Sequence, residues 1–115
     1  MSFEPPIQNI DSIDVLAKQQ DDSVDLVIVA SGPIDGSATT LAFLERKIRN
    51  YIAEIGTSQF RSEFGPLTAD QARISVVCEY EVDDLAKCLV ERLKAEAARG
   101  GASLELRRSF RRPLS

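Results

Sequence analysis

No histidine occurs among the 115 residues. Histidine is the commonest general base near neutral pH and the commonest metal ligand. Any Ser-His or Cys-His nucleophile is therefore excluded. Cysteine is nearly as scarce, with only Cys78 and Cys88. The segment Met1–Ile10 holds Glu4, Pro5 and Pro6 and no apolar run, so it does not read as an export signal. A cytoplasmic, reducing location and two free thiols are expected. No stretch approaches the ~18 apolar residues of a membrane span. The paired carboxylates Asp21-Asp22 and Asp83-Asp84 fall at a turn and a helix cap, which are structural reasons for acids. Hard-cation binding needs more oxygen ligands at ordered spacing. No catalytic residue, cofactor or metal site is expected, and the balance leans away from an enzyme.

What is present suits one globular domain. Hydrophobic residues make up 43% and charged residues 28%, too apolar a balance for a disordered chain. A chain of this length buries a core without staples. The net charge of −4 is uneven. Residues 107–115 carry Arg107, Arg108, Arg111 and Arg112 and no acid, so setting those four aside takes the remainder from −4 to −8. An acidic body repels phosphates, which makes nucleic acid an improbable partner.

The chain divides into an extended N-terminal arm, residues 1–10, a single domain, residues 11–110, and a basic tail, residues 111–115. Alternation predicts a strand over Ser12–Lys18 with Val15 inward, then a central strand over Ser23–Ser31 with Leu26 and Ile28 inward. The short polar link between them predicts an antiparallel hairpin. Ser37 is the expected N-cap of a helix whose stripe is Leu41, Leu44, Ile48, Tyr51, Ile52 and Ile55, closed by Gly56. Phe60 and Phe64, four apart, suggest a short extra turn. A strand follows over Arg73–Glu81. Asp83 or Asp84 caps a second helix with the stripe Leu85, Cys88, Leu89 and Leu93. Gly100-Gly101 stops it, and Ser103–Phe110 is the last strand. The ββαβαβ order and right-handed crossovers predict an α+β two-layer sandwich, a four-stranded mixed sheet with two helices on one face. Strand order within the sheet is left open.

From Leu41 onward the chain resembles a family of small bacterial α+β domains to which no function is assigned. The residues that carry the likeness are Leu44-Glu45-Arg46-Lys47-Ile48, Tyr51-Ile52, Ser58-Gln59-Phe60, the strand Ile74-Ser75-Val76-Val77 with Tyr80, and Leu89 and Leu93 before a glycine pair. The similarity covers roughly residues 10–107. It implies a two-layer α/β sandwich and no particular activity. The loop Ser31–Thr40 departs from the family pattern, which has an aromatic residue there.

Three places could carry function. The sheet face away from the helices should expose Leu16, Val27, Val29 and Val77 inside a charged rim that includes Arg107, the layout of an interface. That makes a non-enzymatic interaction module, working as a homodimer or on a protein partner, the favoured reading. The alternative is a small-molecule-binding or catalytic domain at the strand-to-helix loop, with Gly32, Asp35, Gly36, Ser37 and Thr40. The arginine tail could meet an acidic partner. Cys78 and Cys88 read as two buried thiols facing the same core layer.

Overall fold

The computed structural model describes Ile7 and residues 15–19, 22–65 and 67–108. The tail 111–115 and most of the arm 1–10 lie outside the described residues. Among the described residues, four strands and three helices follow in order. They are β1 (Val15–Lys18), β2 (Val24–Val29), α1 (Ala38–Ile55), α2 (Ser58–Phe64), β3 (Ala72–Val77), α3 (Asp84–Arg99) and β4 (Ser103–Arg107). The predicted extra turn at Phe60 and Phe64 is α2, where the two rings lie 4.8 Å apart.

The sheet runs β1-β2-β3-β4 in space as in sequence. β1 pairs antiparallel to β2, whereas β2–β3 and β3–β4 are parallel. Two parallel steps in one direction, each crossing in the same hand, put both long helices on one side. Val24, Leu26 and Ile28 of β2, Ile74 and Val76 of β3, and Leu104 of β4 meet Leu44, Ile48 and Tyr51 of α1 and Leu89, Val90 and Leu93 of α3 in one core. Ile7 joins that core with 1% of its surface exposed.

Local chemistry sets the helix ends. Ser37 is extended, and its Oγ accepts from the Thr40 N–H at 3.2 Å. Thr57 caps α2 in the same way, accepting from the Phe60 N–H at 3.1 Å. Asp83 caps α3 and accepts from the Leu85 N–H at 2.9 Å. Gly101, at φ +84°, follows α3 in the left-handed region that favours glycine.

Two expectations are corrected. The first is the facing of β1. Its register sets Leu16 opposite Leu26 and Val15 opposite Val27. Directly paired residues share a face, so Leu16 belongs to the helix side, 40% exposed at the sheet margin. Register is fixed by the turn, and a shift of one residue flips every side chain. Here the turn has Asp22 at φ +68°, with Gln19 N–H bonded to Ser23 C=O at 2.8 Å. The second is the stripe of α3. Its buried residues are Ala86, Leu89, Val90, Leu93 and Ala97. Leu85 is 58% exposed and Cys88 is exposed. The two alanines let α3 sit close to its neighbours, and a stripe drawn through large residues passes over them.

The loop after β2 is stitched to the loop after β3. Ile34 N–H donates to Glu81 C=O at 2.9 Å, and Asp83 N–H donates to Ile34 C=O at 2.8 Å. The α1 and α3 N-termini are thereby held side by side. A β-carbon built on Gly36 would stand 2.6 Å from the Asp83 carboxylate oxygen, whereas one on Gly32 meets nothing within 4 Å. Gly36→Ala is expected to destabilise the chain by about 1–3 kcal/mol in urea unfolding, the usual cost of overpacking. Gly32→Ala should stay within about 0.5 kcal/mol of the parent.

Candidate functional site

Four places bear on function, and each starts from how the strands and helices place its side chains. The first is the sheet face turned from the helices. Val27, Val29 and Val77 do alternate onto it. Their exposure is less than expected: Val27 is 4% exposed, Val77 2% and Ser75 0%, and Val29 is half-buried. The apolar centre is covered within the single chain. Its polar groups are also tied together. Arg73 Nε lies 2.9 Å from Asp25 Oδ1, its directly paired residue, and Arg73 Nη2 donates to Ser23 Oγ at 3.0 Å. Ser75 Oγ donates to Glu105 at 3.2 Å, and Arg107 lies 3.7 Å from Glu105. Alternation tells which way a side chain points and not what lies over it. The expected exposed patch is corrected on that point.

The second place is the loop 31–40. Asp35 accepts from the Ser37 N–H at 3.0 Å. Bonds from the Ser37 side chain, the Ser37 N–H and the Thr40 side chain hold the Asp35 carboxyl below its ordinary value of 3.8. Ser37 Oγ also lies 3.0 Å from Thr40 Oγ1. Thr40 is buried, while Asp35 and Ser37 are exposed. Gly36 packs against Asp83, and the Gly32 carbonyl accepts from the Cys78 thiol at 3.6 Å. Both adjacent helix N-termini thus carry a carboxylate of this chain. An anion entering this loop would meet the carboxylates Asp35 and Asp83 beside the helix N–H groups.

The cysteines part company. Cys78 is buried beneath the β2–α1 loop, and Cys88 is exposed on α3. The expectation of two buried thiols holds for Cys78 only, for the same reason that the α3 stripe turned. Lys47 was not singled out by sequence reasoning. It is 0% exposed, with its Nζ 5.9 Å from the centre of the Tyr51 ring. Tyr51 is itself buried and donates its hydroxyl to Val27 C=O at 3.2 Å. The signal was legible: Lys47 falls three after Leu44 and four before Tyr51, on the core stripe.

The third and fourth places are concave. Between α1 and α3 runs a groove of about 410 Å³ lined by Leu41, Ala42, Leu85, Cys88 and Leu89, with Glu45 on one wall and Arg92 on the other. Arg49 clips the two helices, 3.4 Å from Glu45 and 3.1 Å from Glu96. A cleft of about 520 Å³ opens where β3 and β4 end, lined by Cys78, Tyr80, Glu81, Val82, Lys87, Leu106, Arg107 and Arg108. Among the described residues, no three His, Cys, Asp or Glu side chains are grouped to hold a metal ion, and no helix is long and apolar enough to cross a membrane.

A family model described as a family of unknown function, DUF6572, matches residues 5–109. The chain belongs to this family. The DUF6572 match takes in every described strand and helix from β1 to β4. No curated protein and no solved structure matches the chain.

The depressed Asp35 carboxyl has a sign that can be checked in this DUF6572 chain. A carboxylate favoured in the folded state contributes stability above its unfolded value of 3.8, and that contribution is lost as pH falls through the lower folded value. Asp35→Asn should therefore destabilise the protein at neutral pH and make it less sensitive to acid below about pH 4. Thermal melts of both forms across that range measure it.

Proposed function

We propose that the domain is a non-enzymatic binding module that works in the cytoplasm as a homodimer, joined through the groove between α1 and α3. One observation carries the reading. One large apolar residue of the helices, Leu85, is left exposed, and it stands beside the half-buried Leu41. Leu85 is 58% exposed, and with Leu41, Cys88 and Leu89 it lines the groove. Exposed apolar clusters rimmed by charge mark interaction surfaces.

The rim favours a second copy of this chain as occupant. Glu45 stands on the α1 wall and Arg92 on the α3 wall. A two-fold axis along the groove sets Glu45 of each copy against Arg92 of the other. Such self-complementarity is what an isologous interface requires. The sheet's other face is the less favoured surface, because Val27 and Val77 are already covered. Val27→Asp would then act on folding and not on assembly alone. A reducing compartment keeps the exposed Cys88 a thiol in this groove.

Burying Leu85 is worth about 1.5–3 kcal/mol per copy. Leu85→Asp should weaken the dimer by about two to four powers of ten while leaving the circular dichroism spectrum unchanged. Sedimentation equilibrium at tens of micromolar checks it. Glu45→Arg and Arg92→Glu should each weaken assembly, and the double exchange should restore it. A monomer mass for the parent chain contradicts the reading.

A further inference from the structure

The cleft at the ends of β3 and β4 carries a second inference, independent of the dimer. In open α/β sheets ligands bind outside the carboxyl ends of the parallel strands, where the strand order reverses; the order does not reverse here, and the cleft shares the strand-end location alone. Its volume of about 520 Å³ falls in the range of small-molecule pockets.

Its lining has a definite chemistry. Lys87, Arg107 and Arg108 bring three cations, against the single acid Glu81. This is in a chain with a net charge of −4, so the sign is local and opposite to that of the whole. Two of the cations have an acid of this chain within ion-pair distance. Lys87 Nζ is 3.8 Å from the Asp84 carboxylate, an exposed group, and Arg107 is 3.7 Å from Glu105. Both distances lie beyond a charge-assisted hydrogen bond. Arg108 has no ion-pair partner among the described residues and is exposed. Between the cations the wall is apolar: Val82 and Leu106 are half-buried, Cys78 is buried, and Tyr80 is 50% exposed.

We infer that this cleft binds a small amphiphilic anion, an apolar or aromatic body bearing a carboxylate or a phosphate. The body lies on Tyr80, Val82 and Leu106, and the anionic group meets Arg107, Arg108 and Lys87. Guanidinium groups suit both carboxylate and phosphate, since each accepts two parallel N–H bonds. The site needs no chemistry from the thiol. Cys78 Sγ is already within 3.6 Å of the Gly32 and Tyr80 carbonyls.

The test uses the full chain labelled with ¹⁵N, with benzoate, phenyl phosphate, inorganic phosphate and neutral benzamide as probes. Benzoate and phenyl phosphate should shift the amides of Tyr80, Val82, Leu106, Arg107 and Arg108 saturably. Benzamide and inorganic phosphate, each lacking one half of the recognised chemistry, should bind more weakly by about tenfold or more. Benzoate saturating without phenyl phosphate, or the reverse, names the anionic group and supports the site. Arg107→Gln should weaken binding of both probes with the rest of the spectrum in place. Arg108→Gln, at an exposed position after the last strand, gives the same direction if Arg107→Gln disturbs β4. The inference is overturned if neither anion saturates, if benzamide binds as well as benzoate, or if the shifts fall in the Leu41–Glu45 and Leu85–Arg92 groove. It is also overturned if neither arginine variant changes the affinity.

Discussion

The pairing of β2, β3 and β4 in parallel, in chain order, is the constraint from which the rest follows. Each parallel step demands a crossover, and two crossovers in one direction place α1 and α3 on the same side. Their N-termini then lie at one end of the sheet, where Ile34 is bonded to Glu81 and Asp83. The groove and the cleft both follow from that geometry. The groove is the seam between two neighbouring helices, and the cleft is the gap left where β3 and β4 hand the chain on. The bonds around Ile34 therefore set the outline of both.

Two neighbouring helix N-termini concentrate positive partial charge, and the chain answers with its own carboxylates. Asp35 and Asp83 each accept a backbone N–H at one of these ends. That arrangement stabilises the helix starts. Arg107 and Arg108 stand at the end of β4, and Lys87 in the first turn of α3 faces the same cleft.

Much of this was legible in the amino-acid order, and the failures share a cause. Element order, the Ser37 and Asp83 caps and the α1 stripe rest on local chemistry, which the sequence displays directly. The facing of β1 rests on hairpin register, set by a turn whose left-handed Asp22 carries no unambiguous mark. The α3 stripe turned because Ala86 and Ala97, being small, allow close approach and were outweighed by Leu85 and Cys88. Lys47 sits on the core stripe, and its long stem is buried beside Tyr51. For the sites, the sequence separated the sheet's faces but could not show that Val27 and Val77 are covered. Nor could it join residues from β3, α3 and β4 into one cleft, since that needs the strand order.

The proposed binding surface rests on Leu85, exposed beside Leu41 in the groove between α1 and α3. The most direct measurement is an isotope-filtered NOE experiment on mixed labelled and unlabelled chains. The account predicts intermolecular contacts among the methyl groups of Leu41, Leu85 and Leu89. Intermolecular contacts from Val27, Val29 or Val77, or none at all at concentrations where the chain is a dimer by mass, would contradict it.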